Sequence, residues 1–464
     1  SAAEAFDYLD ETQSLVLTFT IRVTDGTATD DQTVIITING TNDVPAISGD
    51  TSDSVTEESD LIAAGSLTVT DADDTDGVQA ATGLIGDNSH GTLDILANGD
   101  WTYTLDNNDT AVQALAFGET LTDTVTVTLG DGVTTQDIVI TINGTNDDPV
   151  ITVVGGDSVA AALAETNAAL ATAGTLTLTD VDTTNTVTSI VASVVESGDV
   201  SGISNLTLLG MMGVTDDLTN ATTSGTLDWS FNSGAEAFDY LAVTESLVLT
   251  YTIQVTDTNG ATDTQTVEVT INGTNDAPTI SDVADVIYSE AIDASAQDLI
   301  DNGTVSFDDL DGSDLVDISV ALTTPAVWSG GTLDVGLRSD LESGFTASAI
   351  NSPAPGSITW DYAANDLDLD FLAAGETITL TFTLTATDNS AATATDTVTI
   401  TIVGADETPT ITATGDATVR SGEPYTLNLN ASQAVDGWII NWGDGNIETI
   451  NSNPSSVDHI YTNV

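Results

Sequence analysis

The chain has 464 residues, with 73 aspartates and glutamates against three basic residues and a formal charge of −70. Lysine is absent, so Arg22, Arg338 and Arg420 are the whole basic complement, and binding of a nucleic-acid backbone, which needs a basic patch, is excluded. An anionic membrane surface would repel this sequence, and no run reaches the roughly 18 apolar residues of a membrane-spanning helix.

There is no cysteine, so disulfides cannot staple the fold. The absence of lysine also excludes Lys–Asn isopeptide cross-links. A charge this large would suggest disorder, but 40% of the residues are hydrophobic and they alternate with threonine. The two facts agree if cations neutralise carboxylates in the folded state, or if a salty medium screens them.

In chain order, the first feature is Ala3–Leu9 (AEAFDYL), which returns unchanged at Ala235–Leu241, with Ser14–Thr18 returning at Ser246–Thr250. In the later copy this stretch precedes the last two strands of a unit, so residues 1–45 read as the C-terminal part of a domain. The expectation is that the chain is a window on a longer polypeptide, or that its open ends complete each other between molecules.

The phrase Ile38-Asn-Gly-Thr-Asn-Asp-Val-Pro45 then recurs at Ile142–Pro149 and Ile271–Pro278, with a worn copy at Ile402–Pro409. A period of roughly 100–130 residues is that of one β-sandwich domain, so the array reads as domains at 46–149, 150–278 and 279–409. After each linker comes a glutamate (Glu57, Glu165, Glu290), then a Gly-x-(Leu/Val) strand. That strand runs into Asp71-Ala-Asp73, Asp180-Val-Asp182 or Asp309-Leu-Asp311. Ala160–Ala173 is alanine-rich and reads as a short helix or an irregular insertion. A tryptophan strand follows in each unit, at Trp101, Trp229 and Trp360, whose rings are expected to fill the core.

Each unit ends on two strands in which threonine alternates with an apolar residue, as in Thr381-Phe-Thr-Leu-Thr385 with Thr397-Val-Thr-Ile-Thr-Ile402. The short loop between them carries Asp131, Asp257 or Asp388 at its tip, the place of Asp25 in the partial first unit.

Calcium takes six to eight oxygens from carboxylates, amides and carbonyls. Side-chain alternation puts the two carboxylates of Asp-x-Asp on one side of an extended stretch. One pair cannot fill the shell, but the glutamate, the linker Asn and Asp, and Asp-x-Asp together can, where two domains abut. The rival reading is solvated turn residues, since Asp and Asn favour turns.

The segment Trp101-Thr-Tyr-Thr-Leu-Asp-Asn-Asn108, with Ala111-Val-Gln-Ala-Leu115 and Gly118-Glu-Thr-Leu-Thr-Asp123, resembles the VCBS repeat of very large bacterial RTX-type adhesins. The order of glutamate, Asp-x-Asp and Asn-Asp-x-Pro linker resembles the cadherin pattern. The resemblance covers about residues 1–409 and implies an all-β fold, a tandem array of Ig/cadherin-like β-sandwich domains with calcium at the junctions. Carried over, the ligands are Asn42 and Asp43 with Asp71 and Asp73, Asn146 and Asp147 with Asp180 and Asp182, and Asn275 and Asp276 with Asp309 and Asp311. Glu57, Glu165 and Glu290 serve the other end of their domains, and the tip residues Asp131, Asp257 and Asp388 are further candidates. At Val403–Glu407 the asparagines are gone, and the cadherin Asp-Arg-Glu motif is not recognisable. Residues 410–464 resemble a PKD domain lacking its last two strands, through Trp442-Gly-Asp-Gly445 and His459-Ile-Tyr461; in that family the tryptophan turn is structural.

The reading is of a non-catalytic extracellular protein. His90 and His459 are the only histidines, neither lies near a hydrolase or metalloprotease motif, and His90 reads as a surface residue. Three functions stay open. The first is a calcium-stiffened extender of a bacterial surface adhesin or matrix protein, and the second a self-assembling fibre built from copies of the chain. The third is a carbohydrate-binding accessory region of a secreted hydrolase.

Overall fold

The structure is a computed structural model, which describes residues 6–73, 77–219, 222–292, 294–406, 409–432 and 435–462. The residues Ala3 to Ala5 of the first repeated segment, and Glu407 and Thr408 of the fourth linker, lie outside the described residues. Two compact units are present, one of residues 1–238 with 246–272 and the other of residues 239–245 with 273–464.

The first unit contains the hairpin Ser14–Thr24/Thr29–Asn39 and two sandwiches. In the earlier sandwich a five-stranded sheet (Ala46–Gly49, Ile62–Thr70, Asp100–Leu105, Gly91–Ile95, Ala81–Ile85, in spatial order) accompanies a three-stranded sheet of Ser52–Thr56, Thr135–Asn143 and Thr120–Thr128. The later one has two four-stranded sheets. One orders Val150–Thr152, Ala171–Thr179, Ser224–Asn232 and Met212–Asp216, the other Ala160–Ala164, Thr262–Asn272, Ser246–Thr256 and Thr188–Ser197.

The second unit repeats the plan. Thr279–Ile280, Gln297–Asp308, Gly356–Leu367 and Phe345–Thr346 form one sheet, and Val286–Ser289, Thr393–Val403, Thr377–Thr387, Leu315–Trp328 and Ala349–Pro353 the other. Residues from Ile411 onward form a three-stranded and a two-stranded sheet.

The fold class read from the sequence is therefore the observed one, an all-β tandem array of sandwiches. The threonine-rich hairpins form in full register; Thr379 faces Thr401, Thr381 faces Thr399 and Thr383 faces Thr397. Their alternate residues (Ile378, Leu380, Leu384, Val398, Ile400) are buried, while the threonines line the wetter face with β-branched bulk and no charge.

Each core is organised by one cross-strand pair. Gly65 lies opposite Trp101, Gly174 opposite Trp229 and Gly303 opposite Trp360. The indole covers the glycine: a Cβ on Gly174 would lie 2.5 Å from a ring carbon of Trp229, and the equivalent approaches at Gly65 and Gly303 are 2.6 Å and 2.7 Å. The buried Trp101 and Trp229 also donate their ring N–H to the carbonyls of Asp50 (2.9 Å) and Ser158 (2.8 Å). The glycine of the sequence motif is thus the space that lets the tryptophan lie flat against its neighbouring strand.

Two expectations are corrected. Ala160–Ala164 is a strand, paired in parallel with Thr262–Asn272, and Ala171 begins the next strand. The sheet edge supplies its hydrogen bonds and overrides the weak strand preference of alanine. His90 is buried, with Nδ1 2.6 Å from Asp109 Oδ2. Asp109 also accepts from the Ala111 N–H to cap the short helix Thr110–Gln113.

The C-terminal turn is structural as expected. Trp442 stacks on His459 with centroids 4.5 Å apart, His459 Nε2 meets Asp444 Oδ2 at 2.9 Å, and Gly443 and Gly445 take φ of 79° and 98°.

Adding a methyl group at Gly174 should strain the later sandwich of the first unit by about 1–3 kcal/mol, and Gly174→Ala should cost almost nothing once Trp229→Ala has removed the ring. Calorimetric unfolding of the single and double variants checks this; additive losses would mean that the pair does not couple.

Candidate metal centres

A short segment between domains can be held in place only by its backbone and by whatever the domain ends offer it. The same device appears three times. The linker aspartate N–H donates to the second carboxylate of Asp-x-Asp: Asp43 to Asp73 Oδ2 (2.9 Å), Asp147 to Asp182 Oδ2 (3.0 Å) and Asp276 to Asp311 Oδ2 (2.9 Å). The preceding Asn42, Asn146 and Asn275 each donate their amide to the carbonyl of that aspartate.

The Asp-x-Asp pairs lie just past strand ends, and not on an extended run. The second residue's N–H donates to the first carboxylate, Asp182 to Asp180 Oδ1 (3.0 Å) and Asp311 to Asp309 Oδ1 (3.1 Å), which closes an Asx turn. The outcome expected from alternation still holds, because Asp180 and Asp182 are buried around the exposed Val181, and Asp309 and Asp311 around the exposed Leu310.

The tip aspartates divide their oxygens. Asp257 Oδ1 accepts the N–H groups of Asn259 and Ala261, and Oδ2 takes the Asn146 amide at 2.7 Å. Asp388 does the same for Ser390 and Ala392, with Asn275 at 2.8 Å. Asp131 differs: both its oxygens serve its own turn, at Val133 and Thr134.

The glutamates anchor the opposite ends of their domains. Backbone N–H groups of Glu57, Glu165 and Glu290 donate to Asn143, Asn272 and Val403 carbonyls. Glu57 Oε1 accepts from the Thr145 N–H at 2.6 Å, and Glu290 Oε2 from the Ala405 N–H at 2.9 Å.

In the first unit these elements converge between its two sandwiches. Glu57, Asp147, Asp180 and Asp182 act on one another electrostatically. Burial pushes Glu57 and Asp182 up to about 7 and Asp147 up to about 6, with neighbouring carboxylates adding to the shift. Glu57 Oε2, Asp147 Oδ2, Asp180 Oδ2 and Asp182 Oδ1 are buried with no hydrogen-bond partner. In the second unit burial raises Asp309 to about 6 and Asp311 to about 7. There, one carboxylate oxygen from each of Asp309, Asp314 and Asp388 lies within 4.8 Å of the others.

The donor set fits a hard cation. It is all oxygen, it is anionic, and its orphaned oxygens have lost water without gaining a donor. Soft-metal chemistry is foreign to it, because neither cysteine nor histidine takes part.

Sequence reasoning missed Asp314, Asn185 and Asn259. Asn185 donates to Asp182 Oδ2 (2.9 Å) and to Asn146 Oδ1 (3.0 Å), and Asn259 donates to Asn146 Oδ1. The missed signal was an oxygen-bearing residue three places after each Asp-x-Asp: Asp76, Asn185, Asp314. Asp76 lies outside the described residues.

Comparison with known proteins matches one stretch of the chain to a family. The profile of the bacterial cadherin-like domain matches residues 42–144. No curated protein matches. Among solved structures, protocadherin gamma B2 extracellular cadherin domains 1–5 is similar at 14% identity and a TM-score of 0.41, over 85% of this chain and 66% of that one. Drosophila N-cadherin EC1–4 is similar at 15% identity and 0.27, over 86% and 85%, and the human desmocollin-1 ectodomain at 13% and 0.29, over 96% and 84%. The chain is an all-β tandem array of sandwiches, of which residues 42–144 match the bacterial cadherin-like domain.

The metal-free protein should be more stable at pH 5 than at pH 8. The raised carboxyls bind protons more tightly folded than unfolded, so their contribution is full below the ordinary carboxylate value. It is lost as pH rises towards about 7, the folded value of Asp182 and Glu57. Melting in chelator at the two pH values tests this, and Asp182→Asn should raise the melting temperature at pH 8. A rise in stability from pH 5 to pH 8 would contradict the assignment.

Proposed function

We propose that the chain is a calcium-stiffened repeat region of a bacterial surface adhesin or matrix protein, working outside the cell as an extender that holds a binding module away from its anchor. The domains would be those bounded at Pro45, Pro149, Pro278 and Pro409, with a PKD-like module after the last. The resemblance to VCBS repeats of RTX-type adhesins supports the adhesin assignment, and biofilm or matrix building is the setting it suggests.

One observation carries the proposal: four buried carboxylate oxygens without donors, drawn from Glu57, Asp147, Asp180 and Asp182. Folding would not gather them unless a cation joined them. Calcium supplies positive charge and a coordination shell large enough for all of them. The chain's own residues do the rest. Asp182 and Asp257 grip the linker through its N–H and amide, Glu57 holds the linker's other end, and Asn146 with Asn185 and Asn259 braces the cluster. Asn275, Asp276, Asp309, Asp311, Asp314 and Asp388 would form a second site. Asn42, Asp43, Asp71 and Asp73 would form a third, with Asp131 its weakest candidate. Magnesium, which demands near-ideal octahedral geometry and keeps its waters, suits so many protein oxygens less well.

The proposal assigns no catalytic step. Trp101, Trp229 and Trp360 are buried and offer no sugar platform, which weakens the reading as a carbohydrate-binding accessory.

Thermal unfolding of the full chain in calcium, magnesium and chelator tests the proposal. At a calcium concentration 100 times the dissociation constant each site should contribute about 2.7 kcal/mol. The rise in melting temperature should be specific to calcium and be reduced by Asp311→Asn. An equal shift with either ion would reduce the clusters to a solvating surface.

A further inference from the structure

The sandwich of the second unit contains a cleft that lies apart from the acidic clusters. After the strand Leu315–Trp328 the chain makes a loop and the helix Val335–Glu342 before it returns at Phe345–Thr346. Between this excursion and residues 366–371 lies a cavity of about 540 Å³.

Two aromatic rings form one wall. Trp328 and Phe371 meet edge to face with centroids 4.7 Å apart, and Phe371 is 38% exposed. The indole is fixed, since Trp328 Nε1–H donates to Glu376 Oε2 at 3.0 Å and Gly331 lies so close that a Cβ there would come within 2.9 Å of the ring. Leu367 is buried beneath the cleft. Asp340, Asp366 and Asp368 border it and are exposed, and no cationic residue lines it. Asp366 takes φ of 54°, its N–H held at 2.9 Å by Asp298 Oδ1.

A fixed aromatic face beside carboxylates selects an organic cation, because the ring quadrupole attracts it and the carboxylates accept its N–H groups. A bare metal ion would gain nothing from the rings. A neutral sugar would stack on them but leave the negative charge uncompensated. None of the residues that line the cleft is cationic, and Arg338 is not among them, so the cation has to enter from outside the cleft. We propose that the cleft docks an arginine- or lysine-bearing segment of a basic partner protein. The surplus negative charge of the chain would speed the approach of such a partner. The inference stands whether or not the junctions bind calcium.

Calorimetric titration of the full chain, in saturating calcium and physiological salt, tests it with an acetylated tetra-arginine peptide as probe. The double change Asp340→Asn/Asp368→Asn should weaken binding about tenfold or more, and Trp328→Leu should weaken it comparably. The control pair Asp416→Asn/Asp436→Asn, on exposed sites elsewhere, should leave it unchanged. Where Trp328→Leu lowers the melting temperature, the aspartate pair decides alone. Equal weakening by the control pair would overturn the proposal, since attraction would then be to net charge. So would acetyl-arginine amide binding as tightly as the peptide, or cellohexaose competing for the cleft.

Discussion

Four carboxylates withdrawn from water into one small space repel one another and have lost their hydration, and no cationic side chain is there to compensate them. That constraint sets the architecture of the described array. Glu57 comes from one sandwich, Asp180 and Asp182 from the next, and Asp147 from the chain between. Separately these residues would be ordinary solvated acids. Brought together, burial and mutual repulsion push their protonation towards neutral pH. The proposed divalent cation would remove both costs at once, and geometry at the junction and stability of the array would then be one property.

The sandwiches are built to make such turns rigid. In each, the tryptophan lying over its opposite glycine fixes the strand that leads towards Asp-x-Asp, as Gly174 and Leu178 lie on the strand that ends at Asp180. The threonine hairpin fixes the other contributor, because Ser246–Thr256 and Thr262–Asn272 stay in register up to the tip that carries Asp257. Ligand-bearing turns on loose loops would spread apart under their own repulsion. Held by paired strands over packed aromatics, they remain close enough for one ion.

Much of this was legible because it repeats. Period-2 alternation located the hairpins, and the recurring glycine and tryptophan located the cores. The linker phrase, glutamate and Asp-x-Asp located the clusters. What was hidden depended on neighbours absent from the local pattern. Ala160–Ala164 is a strand only because Thr262–Asn272 offers an edge, and His90 is buried only because Asp109 meets it. Asn185 and Asn259 join the cluster through Asn146, residues far away in sequence. Asp131 departs from the pattern that sets it with Asp257 and Asp388, because Thr134 supplies a local hydroxyl that occupies its second oxygen.

The fourth linker separates two roles that coincide elsewhere. The asparagines of the other linkers are replaced by Val403 and Asp406, yet Glu290 is still buried and still accepts the Ala405 N–H, as Glu57 accepts that of Thr145. A glutamate kept only as a metal ligand would have no reason to persist beside a depleted linker. Its bond to the departing backbone gives that reason: it caps the end of the final strand and sets the direction in which the chain leaves the domain. The glutamate is therefore first a clamp on the linker. The proposed calcium sites, where the Asn-Asp pair is also present, would be added to a junction that the clamp has already shaped.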